Sequence, residues 1–501
     1  MSTMPSKQSP ASGLSKSKLM ACRQCPKRLW LEWHRPELRE DSAQTQATFD
    51  FGHAVGEVAR GLFDPKGCGV LVERESVAAG LARSKDALRQ RTPLFEVGLA
   101  ADGAYAFTDV LLPVRRQGRD AWRLIEVKAS TKVKDYHYED VAIQAFLAQR
   151  SGVPLASVEI ARVDSDWTYP GNGDYAGLLV TENLSKDTAA RQGEVGDWIA
   201  TAQTVLRQRS EPAIATGKHC HEPYDCGFLG YCESREPKVQ YPIKWLPGAL
   251  KKELKALIEH DDLRDLRQVP DALLNATQRR VKQHTLSGKP YFDGAGAADA
   301  LRGHATPHYF LDFETVSFAV PIWKGTRPYQ QIPFQFVLLR QGRNGKAVRS
   351  DFLDLSGEDP SLALATTLIQ DCGERGTIYA YHASFESGII QALAQRFPRL
   401  RRELVAIRAR LFDLLKVTRD HYYHPAQQGS WSIKSVLPTL GSSLDYAQLD
   451  GVQHGGMASD AYRQAIAPGV TQAQKMRIER QLKAYCGVDV AAMMILRTKL
   501  Q

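Results

Sequence analysis

The chain has 501 residues, 43% of them hydrophobic, which exceeds the roughly 100–200 residues of one domain and can bury two or more cores. Its 65 Lys and Arg outnumber 56 Asp and Glu, a net charge of +9 that suits a polyanionic partner without requiring one. Eight cysteines are too few for a disulfide scaffold, no run approaches the ~18 apolar residues of a membrane helix, and the opening MSTMPSKQSPASGLSKSK lacks the apolar core of a secretory signal. A cytoplasmic protein with no membrane insertion is expected.

The Ser/Lys-rich start, residues 1-16, reads as disordered. Within 94–128 the segments PLFEVGLA, AYAFTDVLLPV and WRLIEVK read as strands, separated by turn signals at Ala101-Asp102-Gly103 and Gln117-Gly118. A helical run, YEDVAIQAFLAQR, leads to the strand-like SVEIARV, giving a mixed α/β unit over 17-240. After Cys232 the pattern changes: Leu250, Leu254, Leu257, Ile258, Leu263 and Leu266 recur at helical spacing among charges, which predicts a helical connector over 241-303. From Thr306, in the last unit (304-501), YFLDFE, IPFQFVLLR and VRSDFLDL read as three strands, the last two joined by a tight turn at Asn344-Gly345. PSLALATTLIQDC, TIYAYH and SFESGIIQALAQRF follow as helix, strand and helix.

Chemistry-bearing residues fall in three groups. In the last unit Asp312 and Glu314 sit two apart in an apolar strand, so the pleat turns both carboxylates to one face, where two like charges call for a cation. Glu386 is placed in the first turn of a helix after a strand, and Tyr485 and Asp489 lie four apart on one helix face. Four carboxylates suit Mg2+ or Mn2+, hard cations that prefer oxygen ligands. Position 484 is alanine. In the first unit Asp109 follows AYAFT, and Glu126 and Lys128 share a face of WRLIEVK. An acid with E-x-K on a neighbouring strand is the minimum for metal-assisted phosphodiester cleavage, although such charges at a strand end are more often solvated. The third group is thiols: Cys25 far upstream of Cys220, Cys226 and Cys232, with Cys22 making a C-x-x-C. Four thiolates suit tetrahedral zinc or an iron-sulphur cluster, and the five residues between successive distal cysteines are wider than the tight pairs zinc sites use. Cys68, Cys372 and Cys486 read as isolated thiols.

Two surface features read either way. Trp323, Lys324, Arg327 and Tyr329 interleave aromatics with cations and would stack unpaired bases and grip phosphates, or simply cap the sheet. Arg399, Arg401, Arg402, Arg408 and Arg410 would line a phosphate path or form a solvated helix face.

These motifs carry a resemblance over essentially residues 17–500. The D-x-E at Asp312 and Glu314, the H-x-x-F-E around Glu386 and the Y-x-x-x-D from Tyr485 to Asp489 are similar to the tyrosine subclass of DEDD 3'-5' exonucleases, which implies an RNase H-like sheet. Carried over, Asp312, Glu314, Glu386 and Asp489 would bind metal and the Tyr485 hydroxyl would orient the attacking water. Most such enzymes have aspartate where this chain has Glu386, and GSWSIKSVLPTL resembles the helix that follows their metal strands. Cys25-Pro26-Lys27-Arg28-Leu29-Trp30, with Cys220, Cys226 and Cys232, resembles the RecB-like PD-(D/E)XK nucleases stapled by a [4Fe-4S] cluster, of the CRISPR-adaptation and AddB types. That likeness makes His53, Asp109 and Glu126 metal ligands, Lys128 catalytic, and Gln144 the glutamine of a Q-x-x-x-Y element whose tyrosine is here Ala148. The whole resembles a bacterial family that fuses the two nucleases. The fold expected is α/β: a PD-(D/E)XK restriction-endonuclease-like domain, a helical connector and a C-terminal RNase H-like domain. The function implied is hydrolysis of nucleic acid, DNA favoured over RNA, in repair, recombination or phage defence, with a helicase or defence-system partner. Two competing expectations stand beside it, a catalytically silent N-terminal platform and an RNase effector.

Overall fold

A computed structural model describes residues 13–41, 43–260, 263–442, 444 and 446–501; most of the segment expected to be disordered, residues 1–12, lies outside them. The chain divides into two compact units, Met1–Glu236 with Phe318–Gln330, and Pro237–Ser317 with Gln331–Gln501. Each is mixed α/β. No helix among the described residues is long and apolar enough to cross a membrane.

The first unit runs β1 (Leu14–Ser15), α1 (Lys16–Gln24), α2 (Pro26–His34), α3 (Ala43–Phe63), β2 (Val70–Leu71), α4 (Val77–Ala87), β3 (Leu94–Ala101), β4 (Ala104–Arg116) and β5 (Arg119–Lys128). It continues with α5 (Asp135–Arg150), β6 (Leu155–Val163), β7 (Leu179–Asn183), α6 (Ser185–Arg207) and α7 (Leu229–Arg235). Strand order is β2-β3-β4-β5-β6-β7, with β1 parallel to β4. Residues 14–16, expected to be disordered, are therefore ordered: Leu14 is buried and paired with Ala104, and Ser15 caps α1 by accepting from Lys18 N. β4 and β5 form an antiparallel hairpin and β6 returns parallel to β5 after the α5 crossover. α5 lays Val141, Ala142, Ala145 and Ala148 into the core formed with Leu94, Leu111, Leu124 and α6. Burial of Ala148 follows from that packing.

The second unit contains α8 (Lys252–His260), α9 (Ala276–Ser287), β8 (Tyr291–Phe292), α10 (Gly294–Ala300), β9 (His308–Val316), β10 (Ile332–Gln341), β11 (Ala347–Leu353), α11 (Ser361–Cys372) and β12 (Thr377–Ala380). After these come α12 (Ser384–Arg396), α13 (Arg401–Arg408), β13 (Leu411–Asp413), α14 (Leu414–His421), β14 (Tyr422–Tyr423), α15 (Ile433–Val436), α16 (Gly455–Ile466) and α17 (Gln472–Leu500). Its main sheet has the order β11-β10-β9-β12-β13, with β10 antiparallel to β9 and β11, and β12 parallel to β9 and β13. Near-continuous apolar runs such as YFL in β9 and PFQFVL in β10 fit strands covered on both faces. One face packs Leu311, Phe313 and Phe336 against α11, α12 and α13; the other packs Phe310 and Val337 against α17. The connector residues Leu254, Leu266, Val269 and Leu274 close a small core of their own within this unit.

Candidate functional site

In the second unit the acids gather at the middle of the sheet. β9 is the central strand, and α17 is tied across β10 and β11 by Gln335 Nε2 donating to Leu482 O (3.1 Å) and Arg349 Nη2 to Lys483 O (2.9 Å). That placement brings Cys486 onto Asp312: the thiol donates to Asp312 Oδ2 at 3.4 Å, and ligand atoms of Asp312, Glu314 and Cys486 lie within 4.8 Å of one another. Tyr446 Oη donates to Asp489 Oδ1 at 2.6 Å. Lys434, in α15, holds its ammonium 5.0 Å from the ring centres of both Tyr446 and Tyr485. Glu386 stands in the first turn of α12, just beyond β12, buried at 3% exposure, and its Oε2 has no partner among the described residues.

The electrostatics are those of crowded, buried carboxylates. Burial, with the charge of Asp489, pushes Glu314 up to about 8, and burial does the same to Glu386. Asp312 lies well above the usual carboxylate range through burial and the charges of Asp489, Glu314 and Glu386. Burial raises Asp489 too, against hydrogen bonds from Tyr446 and Tyr485 that favour its charge. Lys434 is lowered by burial although Asp489, Glu314 and Asp312 pull the other way. Tyr485 is raised by burial and the same acids, so its hydroxyl keeps its proton. Five groups from β9, α12 and α17 therefore act on one region, and three more, Lys434, Tyr446 and Cys486, join them unannounced by the sequence. Cys486 carried a findable signal, since it sits three residues before Asp489 on the same helix face.

In the first unit Asp109, Glu126, Lys128 and Gln144 also meet. Asp109 Oδ2 accepts from Val127 N at 2.6 Å, and burial with the Glu126 charge raises Asp109 to about 8. Two residues complete the group without sequence warning. Asp140 lies one turn before Gln144 on α5, and Lys16 opens α1. Asp140, though buried, is held well below the usual carboxylate range by Lys128 and Lys16, and those two lysines are raised in turn despite burial. His53 is exposed on α3 and has no hydrogen bond or ion pair to Asp109, Glu126 or Lys128, so the structure does not bring it into the group as expected.

Cys25, Cys220, Cys226 and Cys232 line one cavity together with Lys27, Arg28 and His219. All four are free thiols. Cys22 instead packs in the hydrophobic core with Leu19 and Leu29, pushed up to about 11 by burial. Burial raises the Cys226 and Cys232 thiols, the latter to about 11, against the charges of Arg28 and Lys27; as thiolates the four would suit an anionic metal centre whose charge those cations would offset.

The aromatic loop packs within the first unit, with Ala319, Val320 and Tyr329 in a cluster with Val55, Val163 and Leu178. Trp323 is 7% exposed and packs edge-on against Phe318, and Tyr329 is half-buried against Phe51, so neither ring offers the open face a base would stack on. Lys324 and Arg327 are exposed. Arg410 is structural, donating to Cys372 O, Gly373 O and Arg375 O at the end of α11, while Arg399, Arg401 and Arg402 are exposed. Residues 309–432 match a family described as a domain of unknown function (DUF2779), a stretch that includes Asp312, Glu314 and Glu386 and stops short of Tyr485 and Asp489. No curated protein matches the chain.

Proposed function

We propose that the chain is a metal-dependent nuclease whose second unit hydrolyses nucleic-acid phosphodiester bonds from 3' ends, DNA favoured. The observation that carries the reading is the convergence of Asp312, Glu314, Glu386 and Asp489, all raised by burial and the first two also by the charges of the others, around one region with Lys434 at its rim. The donor set fits hard divalent cations, and the orphaned Glu386 Oε2 is an acceptor waiting for a charge. Bound there, Mg2+ or Mn2+ would supply an activated water and offset charge on the leaving oxygen. The chain's own residues do the rest: Asp312, Glu314, Glu386 and Asp489 set the ligand geometry. Tyr485, kept protonated, donates to or aligns the attacking water, and Lys434 faces the developing negative charge. A strand order of 3-2-1-4-5 within this sheet, with only the second strand antiparallel to the first, supports the RNase H-like, DEDD-type assignment.

For the first unit, the hairpin β4–β5, the α5 crossover and the meeting of Asp109, Glu126, Lys128 and Gln144 support a RecB-like PD-(D/E)XK fold. Cys25, Cys220, Cys226 and Cys232 would hold a [4Fe-4S] cluster. The four line one cavity, and the five residues between successive distal cysteines are wider than the tight pairs that zinc sites use, which favours a polynuclear centre. A reducing cytoplasm would suit such a centre. A second reading, with the first unit as a nucleic-acid platform, draws support from the lysines already seated on Glu126.

The test is a cleavage panel of end-labelled DNA and RNA, single and double stranded, with Mg2+ or Mn2+. Asp312→Ala should remove metal-dependent 3' trimming, whereas Tyr485→Phe, which loses only a hydroxyl, should leave a slower enzyme. Equal loss in both, with unchanged metal binding in Asp312→Ala, would sink the assignment.

A further inference from the structure

The N-terminal centre carries its own cation. Glu126 Oε1 accepts from Lys16 Nζ (2.7 Å) and Lys128 Nζ (2.6 Å), and Glu126 Oε2 from Gln144 Nε2 (2.6 Å). Asp140 Oδ1 pairs with Lys16 (2.7 Å) and accepts from Gln144 (3.0 Å), while its Oδ2 accepts from Lys128. Every oxygen of the two carboxylates is engaged, and two ammonium groups balance two negative charges. A divalent cation would meet two like charges there and no unused oxygen on Glu126 or Asp140, and of the neighbouring Asp109 one oxygen is already taken by Val127 N, so the residues as they stand do not fit the metal that the nuclease resemblance implies.

The two lysines are not equivalent. Lys128 is the last residue of β5, held in register opposite Arg162 of β6, and is the lysine of the E-x-K. Lys16 is the first residue of α1, reached through a two-residue strand at the start of the described chain, with its side chain 19% exposed. A second observation points to a missing ligand: Gln144 is fully buried and spends its amide hydrogens on Glu126 and Asp140, yet its Oε1 has no partner among the described residues. An ammonium group leaves that acceptor unpaired; a hydrated ion would bring water to it.

We propose that Lys16 occupies the divalent-cation position between Glu126 and Asp140, so that this centre takes Mg2+ or Mn2+ only when Lys16 is withdrawn. The proposal rests on reading the first unit as a metal-dependent nuclease fold. It is tested by Mn2+ binding, followed by electron paramagnetic resonance, in the full chain carrying Asp312→Asn and Asp489→Asn, which takes the C-terminal acids out of the count. With Lys16 present, adding Glu126→Gln should leave Mn2+ binding unchanged. Lys16→Met should gain one tightly bound ion per chain, and Glu126→Gln should remove it again. Lys16→Gln, which keeps a hydrogen-bond donor while losing the charge, should behave as Lys16→Met does. An ion already held by the Lys16 chain and lost on Glu126→Gln would overturn the proposal, as would no gain in a Lys16 variant that melts cooperatively. If neither variant folds, the Glu126→Gln comparison alone decides. None of these counts depends on whether the C-terminal acids cleave anything, so failure here and failure of the exonuclease reading are separate results.

Discussion

Glu314 and Glu386 tie the second unit's stability to pH in an unusual direction. Burial lifts both from the ordinary 4.5 to about 8, so between those values the folded chain keeps protons that the unfolded chain has released. Stability is then lost as pH rises, by on the order of 3 kcal/mol for Glu314 alone between about pH 5 and pH 8. Glu314→Gln should therefore raise the metal-free melting temperature at about pH 8 and do little at about pH 5. Saturating Mn2+ should shrink the difference, because it stabilises the charged acids of the unsubstituted chain. A variant that is no more stable than the parent at the higher pH would contradict the burial argument. Asp312, Glu314 and Asp489 were legible from spacing, because strand and helix periods fix which side chains share a face. Lys16 was not: its partners Glu126 and Asp140 are more than a hundred residues away, and only tertiary pairing of β1 with β4 delivers it.

Elements decide what the arginines do. Arg410 caps the end of α11, where helix carbonyls lack partners, so Arg410→Ala should destabilise the second unit by about 2 kcal/mol and leave the salt dependence of DNA binding as it was. Replacing Arg399, Arg401 and Arg402 together should do the opposite, with little change in melting and a shallower salt slope if they meet phosphates. Fluorescence melts and a salt titration separate the two. The thiols act on elements as well: Cys25 immediately precedes α2 and Cys220 lies beyond α6, so a shared centre would close a loop of about two hundred residues. Protein purified without oxygen should be brown, and Cys220→Ser should lower the melting of the first unit while sparing the second. Colourless protein with stoichiometric zinc would exclude the cluster. The strand sequence and the Asn344-Gly345 hairpin turn were readable, since alternation and turn residues are local. The N-terminal boundary was not, because nothing local in a Ser/Lys-rich stretch reveals that Leu14 will be buried against a distant strand.

At the scale of the molecule, the two carboxylate groups lie in different compact units, so their substitutions should act independently. Lys128→Ala should leave 3' trimming within about twofold, and Asp489→Ala should abolish it; coupled losses in matched single and double variants would argue for one shared site. The resemblance predicted two folds in series, but the division of the chain is not a single cut. Residues 318–330, which leave β9 and return to β10, count with the first unit, where Ala319 joins Val55, Val163 and Leu178, and Tyr169 N and O pair with Thr326 O and Gly325 N. That segment makes the halves unequally portable. A gene cut after Glu236 yields a first half with a bared apolar patch, which should aggregate unless 318–330 is supplied as a fused segment, a difference that light scattering would register. The converse surgery is mild: Val316 already faces Ile332 across an antiparallel pair, so a short turn can replace the excursion and leave the strands in register. The second half can be moved to another context as a unit, and the first cannot be moved without borrowing from it.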